Sequence, residues 1–125
     1  MNPAAKSLIL KAQDSLETAK KNLDDDQQHD IVGYNLAQAA ELLLKALCTA
    51  RGLEYPHDEE GHDLDTLVTL LEENNFAAVS SHADLIELTQ YNSLSHRVRK
   101  DQRLNLRDYL AQVEDFKALV GQHTM

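Results

Sequence analysis

The chain has 125 residues, a formal net charge of −9, and a composition that is 42% hydrophobic but only 5% aromatic. That length fits one domain, 1–125, with a sizeable core, and is too short for two independent ones. The charge excludes broad, non-specific binding to nucleic acid or to an anionic membrane, because a phosphate surface repels most of such a protein. The apolar residues are mainly Leu and Ala, with four Gly and two Pro, a mixture that favours helix over sheet and predicts an all-α antiparallel bundle.

In the first segment Leu8, Ala12, Leu16, Ala19 and Leu23 recur every three or four residues, which predicts an amphipathic helix over 3–24. Asp24-Asp25-Asp26 follows as a solvated loop leading into the next helix. Over 29–51, Leu36, Ala37, Ala39, Ala40, Leu42, Leu43, Leu44, Ala46, Leu47 and Ala50 cover most of the helix circumference. That pattern marks a central helix buried on nearly all sides. Gln38, Glu41 and Lys45 form its one polar stripe. Gly52 is placed to cap its C-terminus, with Pro56 shortly after. Cys48, the single cysteine, lies in this apolar run as a small hydrophobe, and a reducing cytoplasm is the expected compartment.

A polar connection, 53–62, then leads to Asp63, a capping residue for a short helix over 64–74 that Asn74-Asn75 ends. A fourth helix is expected over 82–95 from Leu85, Ile86, Leu88, Tyr91 and Leu94, with Ser80-Ser81 as capping candidates. Leu106, Tyr109, Leu110, Val113, Phe116, Leu119 and Val120 give the cleanest stripe, a fifth helix ending at Gly121. The expected N-terminus has no leader, and no apolar run approaches the roughly 20 residues a bilayer span requires.

The average charge hides a basic stretch: residues 97–107 hold Arg97, Arg99, Lys100, Arg103 and Arg107 against Asp101, a net +4 that leaves −13 elsewhere. It follows Tyr91-Asn92-Ser93-Leu94-Ser95-His96. A histidine beside arginines can work on a phosphodiester, with imidazole moving a proton and guanidiniums holding anionic oxygens. The plainer reading makes His96 a favourable residue at a helix C-terminus and the arginines ordinary surface. Gln38, Glu41 and Lys45 either solvate the central helix's exposed face or line a groove or dimer seam. His57 and His62, among Asp58, Glu59, Glu60, Asp63 and Asp65, match no calcium loop or zinc helix, so no metal site is expected. No phosphate-cradling glycine loop, nucleophile elbow or cysteine pair is present, and no cofactor is expected.

The run Ala-Gln-Ala-Ala-Glu-Leu-Leu-Leu-Lys-Ala-Leu over 37–47, then Gly52, Tyr55-Pro56 and His62-Asp63-Leu64, resembles the HEPN domain family (higher eukaryotes and prokaryotes nucleotide-binding). The resemblance implies an up-and-down bundle of four to five helices that usually dimerises. It further implies either ribonuclease activity or partnership with a small nucleotidyltransferase, often in a toxin–antitoxin pair. The family's ribonuclease motif is Arg, four to six residues, then His, often with Asn after the Arg and in one subgroup a Tyr two beyond His. Asn92 and His96 match the Asn and His, but the arginine position holds Tyr91 and the tyrosine position holds Val98. Arg97 is no simple substitute, because neighbouring helical positions point about 100° apart.

Three functions follow as expectations. One is a non-catalytic homodimeric HEPN module that binds a nucleotide or RNA phosphate through Arg97, Arg99, Lys100 and Arg103, or docks a nucleotidyltransferase. The second is a metal-independent endoribonuclease using His96 and Asn92. The third is a helical protein-interaction domain alone.

Overall fold

The computed structural model describes residues 2–92 and 98–124, the side chain of Glu59 excepted. Helix α1 (Pro3–Asn22) starts where Asn2 Oδ1 accepts the amides of Ala4 (2.8 Å) and Ala5 (3.3 Å), with Pro3 in the first turn, where its missing N–H costs nothing. Its buried face is Ala5, Ala12, Leu16 and Ala19, and the alanines allow close approach to the next helix. The connection 23–28 contains a 3₁₀ turn, Asp26–Gln28, capped by Asp25, and folds the chain back into α2 (His29–Ala50).

Helix α2 is the axis of the bundle: α1, α3, α4 and a long 3₁₀ segment all pack on it. Leu36, Leu43, Leu44 and Leu47 are fully buried, each removing apolar surface worth about 2 kcal/mol from water. The expected cap at Gly52 is present. Its φ of +69° is one that a side chain resists, and Leu53 N donates to the Cys48 carbonyl at 2.8 Å. Burial pushes the Cys48 thiol up to about 11, which keeps it a protonated hydrophobe. Helix α3 (Leu64–Glu73) is capped by Asp63, as the sequence indicates, through Asp65 N at 3.1 Å. Leu64, Leu67, Val68 and Leu71 form its buried face.

The segment expected as an α-helix over 82–95 is instead a 3₁₀ run, Ala77–Tyr91, kinked at His82. The reason lies in the spacing. Phe76, Val79, Leu85, Leu88 and Tyr91 are buried, His82 packs on Phe116 with ring centroids 5.1 Å apart, and these six recur every three residues. Three residues per turn align them on one line, whereas an α-helix would carry the row off the core. Ser80 and Ser81 therefore lie inside the run and cap nothing; Ser81 Oγ donates to the Ala78 carbonyl. Leu94 lies outside the described residues.

Helix α4 (Leu106–Thr124) carries the expected stripe but does not end at Gly121. Thr124 is buried, and the His123 ring meets Phe76 at 4.8 Å, contacts that outweigh the cost of about 1 kcal/mol for a mid-helix glycine. The fold is an all-α bundle, with no strand and no helix long and apolar enough to cross a membrane among the described residues.

Candidate functional site

The basic residues in the described part of the strap, 98–104, follow from how that segment is tied down. At one end Val98 N donates to Asp30 Oδ1 (3.3 Å), in the first turn of α2. At the other, Leu104 N donates to the Tyr91 hydroxyl (3.1 Å), and between them Gln90 Nε2 donates to the Gln102 carbonyl (3.4 Å). Within the strap a 3₁₀ turn, Lys100–Gln102, gives the chain a local bend. The apolar residues Val98 and Leu104 turn inward while Arg99, Lys100 and Arg103 remain exposed. Arg99 is 74% exposed and meets Asp101 at 3.2 Å, a surface pair worth little that a stronger anion can replace. Arg107, beyond the strap, pairs with Asp24. His96 and Arg97 lie outside the described residues.

Tyr91 is the hub of this arrangement. Its ring lies on Gly33 of α2, so closely that a Cβ at Gly33 would sit 2.2 Å from Tyr91 Cδ1. Its hydroxyl accepts from Leu104 N and shares a hydrogen bond with His29 Nε2 at 2.8 Å. Burial first, then the charge of Arg103, pushes the His29 ring below its ordinary 6.5, which suits a neutral imidazole accepting the phenol proton. Burial likewise pushes the Tyr91 phenol up. The position where the ribonuclease motif expects an arginine is thus a core tyrosine, 2% exposed, pinning the strap from beneath. Asn92 is exposed, and its Nδ2 donates to the His62 carbonyl at 3.4 Å.

The polar stripe of α2 is covered. Glu41 is 8% exposed, and its carboxylate accepts from Lys45 Nζ at 2.9 Å and from His62 Nδ1 at 3.0 and 3.2 Å. Lys45 lies over the Tyr55 ring, 5.5 Å from its centroid, and Gln38 donates to the Tyr34 hydroxyl at 3.0 Å. The structure therefore joins Glu41 and Lys45 to His62 and, through it, to Asn92, while Gln38 stands apart with Tyr34. The His57 ring packs tilted against Tyr55, with ring centroids 5.0 Å apart. Among the described residues no three His, Cys, Asp or Glu side chains gather as metal ligands.

A cavity of about 230 Å³ lies beside the strap, lined by His29, Leu104 and Arg107 but also by Asp25 and Asp26. It falls below the ~300 Å³ at which small-molecule sites begin, and its carboxylates oppose an anion.

Sequence reasoning missed His29 and Asp30 as anchors of the strap. A histidine and an acid in the first turn of a buried helix gave no signal beyond helix initiation. It also missed the link between His62 and Glu41, which are 21 positions apart.

The bundle, with its central alanine- and leucine-rich helix and a capped His62-Asp63 turn packed against it, defines a class of helical module. The model of the HEPN domain matches residues 5–120, and the chain belongs to that family. No curated protein and no solved structure matches it.

Proposed function

We propose that this chain is a non-catalytic HEPN module that, as a homodimer, binds the phosphates of single-stranded RNA on the strap formed by Arg99, Lys100 and Arg103; Arg97, outside the described residues, belongs to the same basic stretch of sequence. The single observation that carries the reading is the anchoring of that strap. Two backbone amides, of Val98 and Leu104, are held by Asp30 and Tyr91, so three cations are presented from a fixed backbone on an otherwise acidic protein. Fixed presentation lowers the ordering cost of meeting a phosphate chain. The surrounding negative charge confines binding to this patch.

The non-catalytic part rests on Tyr91. A buried phenol hydrogen-bonded to His29, whose oxygen accepts from Leu104, offers no positive charge to a scissile phosphate. The dimer and a nucleotidyltransferase partner belong to the same proposal, and membership of the HEPN family is what supports them.

The test is incubation of labelled single-stranded RNA with the purified protein in EDTA, beside Arg99→Glu plus Arg103→Glu, scored for retention and for cleavage. Retention without cleavage, lost in the double variant, is expected. Cleavage by the native protein contradicts the non-catalytic reading, and retention unchanged in the variant contradicts the strap.

A further inference from the structure

Helix α3 buries Leu64, Leu67, Val68 and Leu71, and its outer side carries a second pattern. Asp65, Thr69 and Glu73 follow one another at intervals of four along one row, and Thr66 and Leu70 along the next. The connection 53–62 runs beside that outer side. Its Leu53 and Tyr55 pack on the core. The turn Glu59–His62 closes back on the connection because position 61 is a glycine, where a Cβ would lie 2.1 Å from the Pro56 carbonyl oxygen. An open groove of about 350 Å³ is left between the connection and α3, within the size range of ligand sites. Pro56 and Leu70 form its apolar walls, and Glu54, Asp65 and Glu73 stand around them.

Surface carboxylates are ordinarily solvated, and three of them alone define no site. Here they border an apolar recess, and the cations nearest to it in the chain are held elsewhere. Lys45 Nζ, 3.9 Å from the Cβ position of Gly61, is bound to Glu41 at 2.9 Å and lies over the Tyr55 ring. Arg51, three positions before Glu54, lies over the Phe76 ring, 4.8 Å from its centroid. Among the described residues Glu54, Asp65 and Glu73 make no ion pair. The Thr66 hydroxyl is engaged by the Asp63 carboxylate at 3.2 Å. The groove thus joins uncompensated negative charge to apolar surface. A nucleic acid is repelled there, and a simple metal cation gains nothing from the apolar walls.

The spacing selects the occupant. Asp65 and Glu73 lie about 12 Å apart along the helix axis. In an extended segment residues i, i+2 and i+4 share one side, and i to i+4 spans about 13 Å. Cations at the outer two positions then meet Asp65 and Glu73, and an apolar residue between them covers Leu70 and Pro56. The stems of Lys and Arg add apolar contact while their heads stay at the wet rim.

We propose that this groove docks an extended segment of a partner protein with the pattern cation–x–apolar–x–cation. The groove is independent of the strap, because one takes cations and the other anions.

The experiment follows fluorescence anisotropy of two labelled peptides, Lys-Ser-Leu-Ser-Lys and Lys-Ser-Ser-Ser-Lys. Each is titrated with native protein, with Asp65→Asn plus Glu73→Gln, and with Asp14→Asn plus Asp115→Asn, which removes the same charge from exposed positions of α1 and α4. Native protein is expected to bind the Leu peptide about three- to tenfold more tightly than the Ser peptide, the range for partial burial of one leucine. Asp65→Asn plus Glu73→Gln should weaken both peptides about fivefold, as expected for two part-exposed ion pairs. The α1 and α4 variant should bind as the native protein does. No binding at millimolar peptide overturns the proposal, as does equal affinity for the two peptides. Equal weakening by the two variants reduces the effect to general charge attraction and overturns it as well. Amide resonances of the native protein give a second readout that needs no substitution: those of Thr66, Thr69 and Leu70 should shift on adding the Leu peptide. Shifts confined to other residues, or shifts of these three with protein concentration alone, which would assign the groove to a second copy of the chain, contradict it.

Discussion

His29 and His62 both lean on α2, one at its first residue and the other over Glu41, and their surroundings give them opposite chemistry. His29 is partly buried, faces a phenol, and is pushed toward neutrality by burial and by Arg103. It serves the fold by fixing Tyr91, which in turn fixes Leu104. His62 is more than half exposed and faces a carboxylate that only accepts, so its ring is oriented without being enclosed. Two histidines on the same helix thus divide into a strut and a presented group. The difference comes from partner and exposure, and residue type alone does not reveal it.

That contrast is most severely broken at Gly33. Gly33→Ala puts a methyl 2.2 Å from the Tyr91 ring, whose displacement would unseat both His29 and the strap. Overpacking of this kind should cost about 3 kcal/mol in chemical denaturation. A variant as stable as the native protein would mean that Tyr91 is not the hub.

Tyr91→Phe is a milder cut, keeping the ring and deleting the hydroxyl that joins His29 Nε2 to Leu104 N. A loss of about 1–2 kcal/mol is expected. Faster amide exchange at Leu104, with the Val98 amide on Asp30 less affected, would sharpen the assignment of the two anchors.

The smallest effect concerns pH. The folded-state pKa of His29 is lowered from 6.5, so the unfolded chain binds the proton more readily. Its stabilisation is therefore complete above 6.5 and is lost as pH falls through the window below it. The stability difference between native protein and His29→Asn should be larger at about pH 7.5 than at about pH 5. A difference that is flat or reversed across that range would contradict a neutral His29.

Much of the fold was legible because its signals are local. Asp63 and Gly52 mark caps through their own side-chain and backbone chemistry, and the stripe from Leu106 to Val120 is one helix face read directly from spacing. The 3₁₀ run was legible in principle, since Phe76, Val79, His82, Leu85, Leu88 and Tyr91 repeat by three. The shorter set beginning at Leu85 fits either helix type. The site was less legible because its decisive contacts are distant in sequence. Tyr91 was visible as the residue standing at the arginine position. That it is a core residue depends on Gly33, 58 positions earlier, whose missing side chain makes the space. Likewise Glu41 and Lys45 read either as an ion pair solvating the helix or as part of a groove or seam, and the contact from His62, 21 positions away from Glu41, is in neither reading.

The most direct test of the strap as a phosphate-binding surface is the salt dependence of RNA binding. If Arg99, Lys100 and Arg103 each meet a phosphate, the logarithm of the binding constant should fall with the logarithm of salt concentration with a slope of about −2. Arg99→Glu plus Arg103→Glu should flatten that slope and weaken binding at every salt concentration. A native slope near zero, or the same slope and affinity in the variant, would contradict the account.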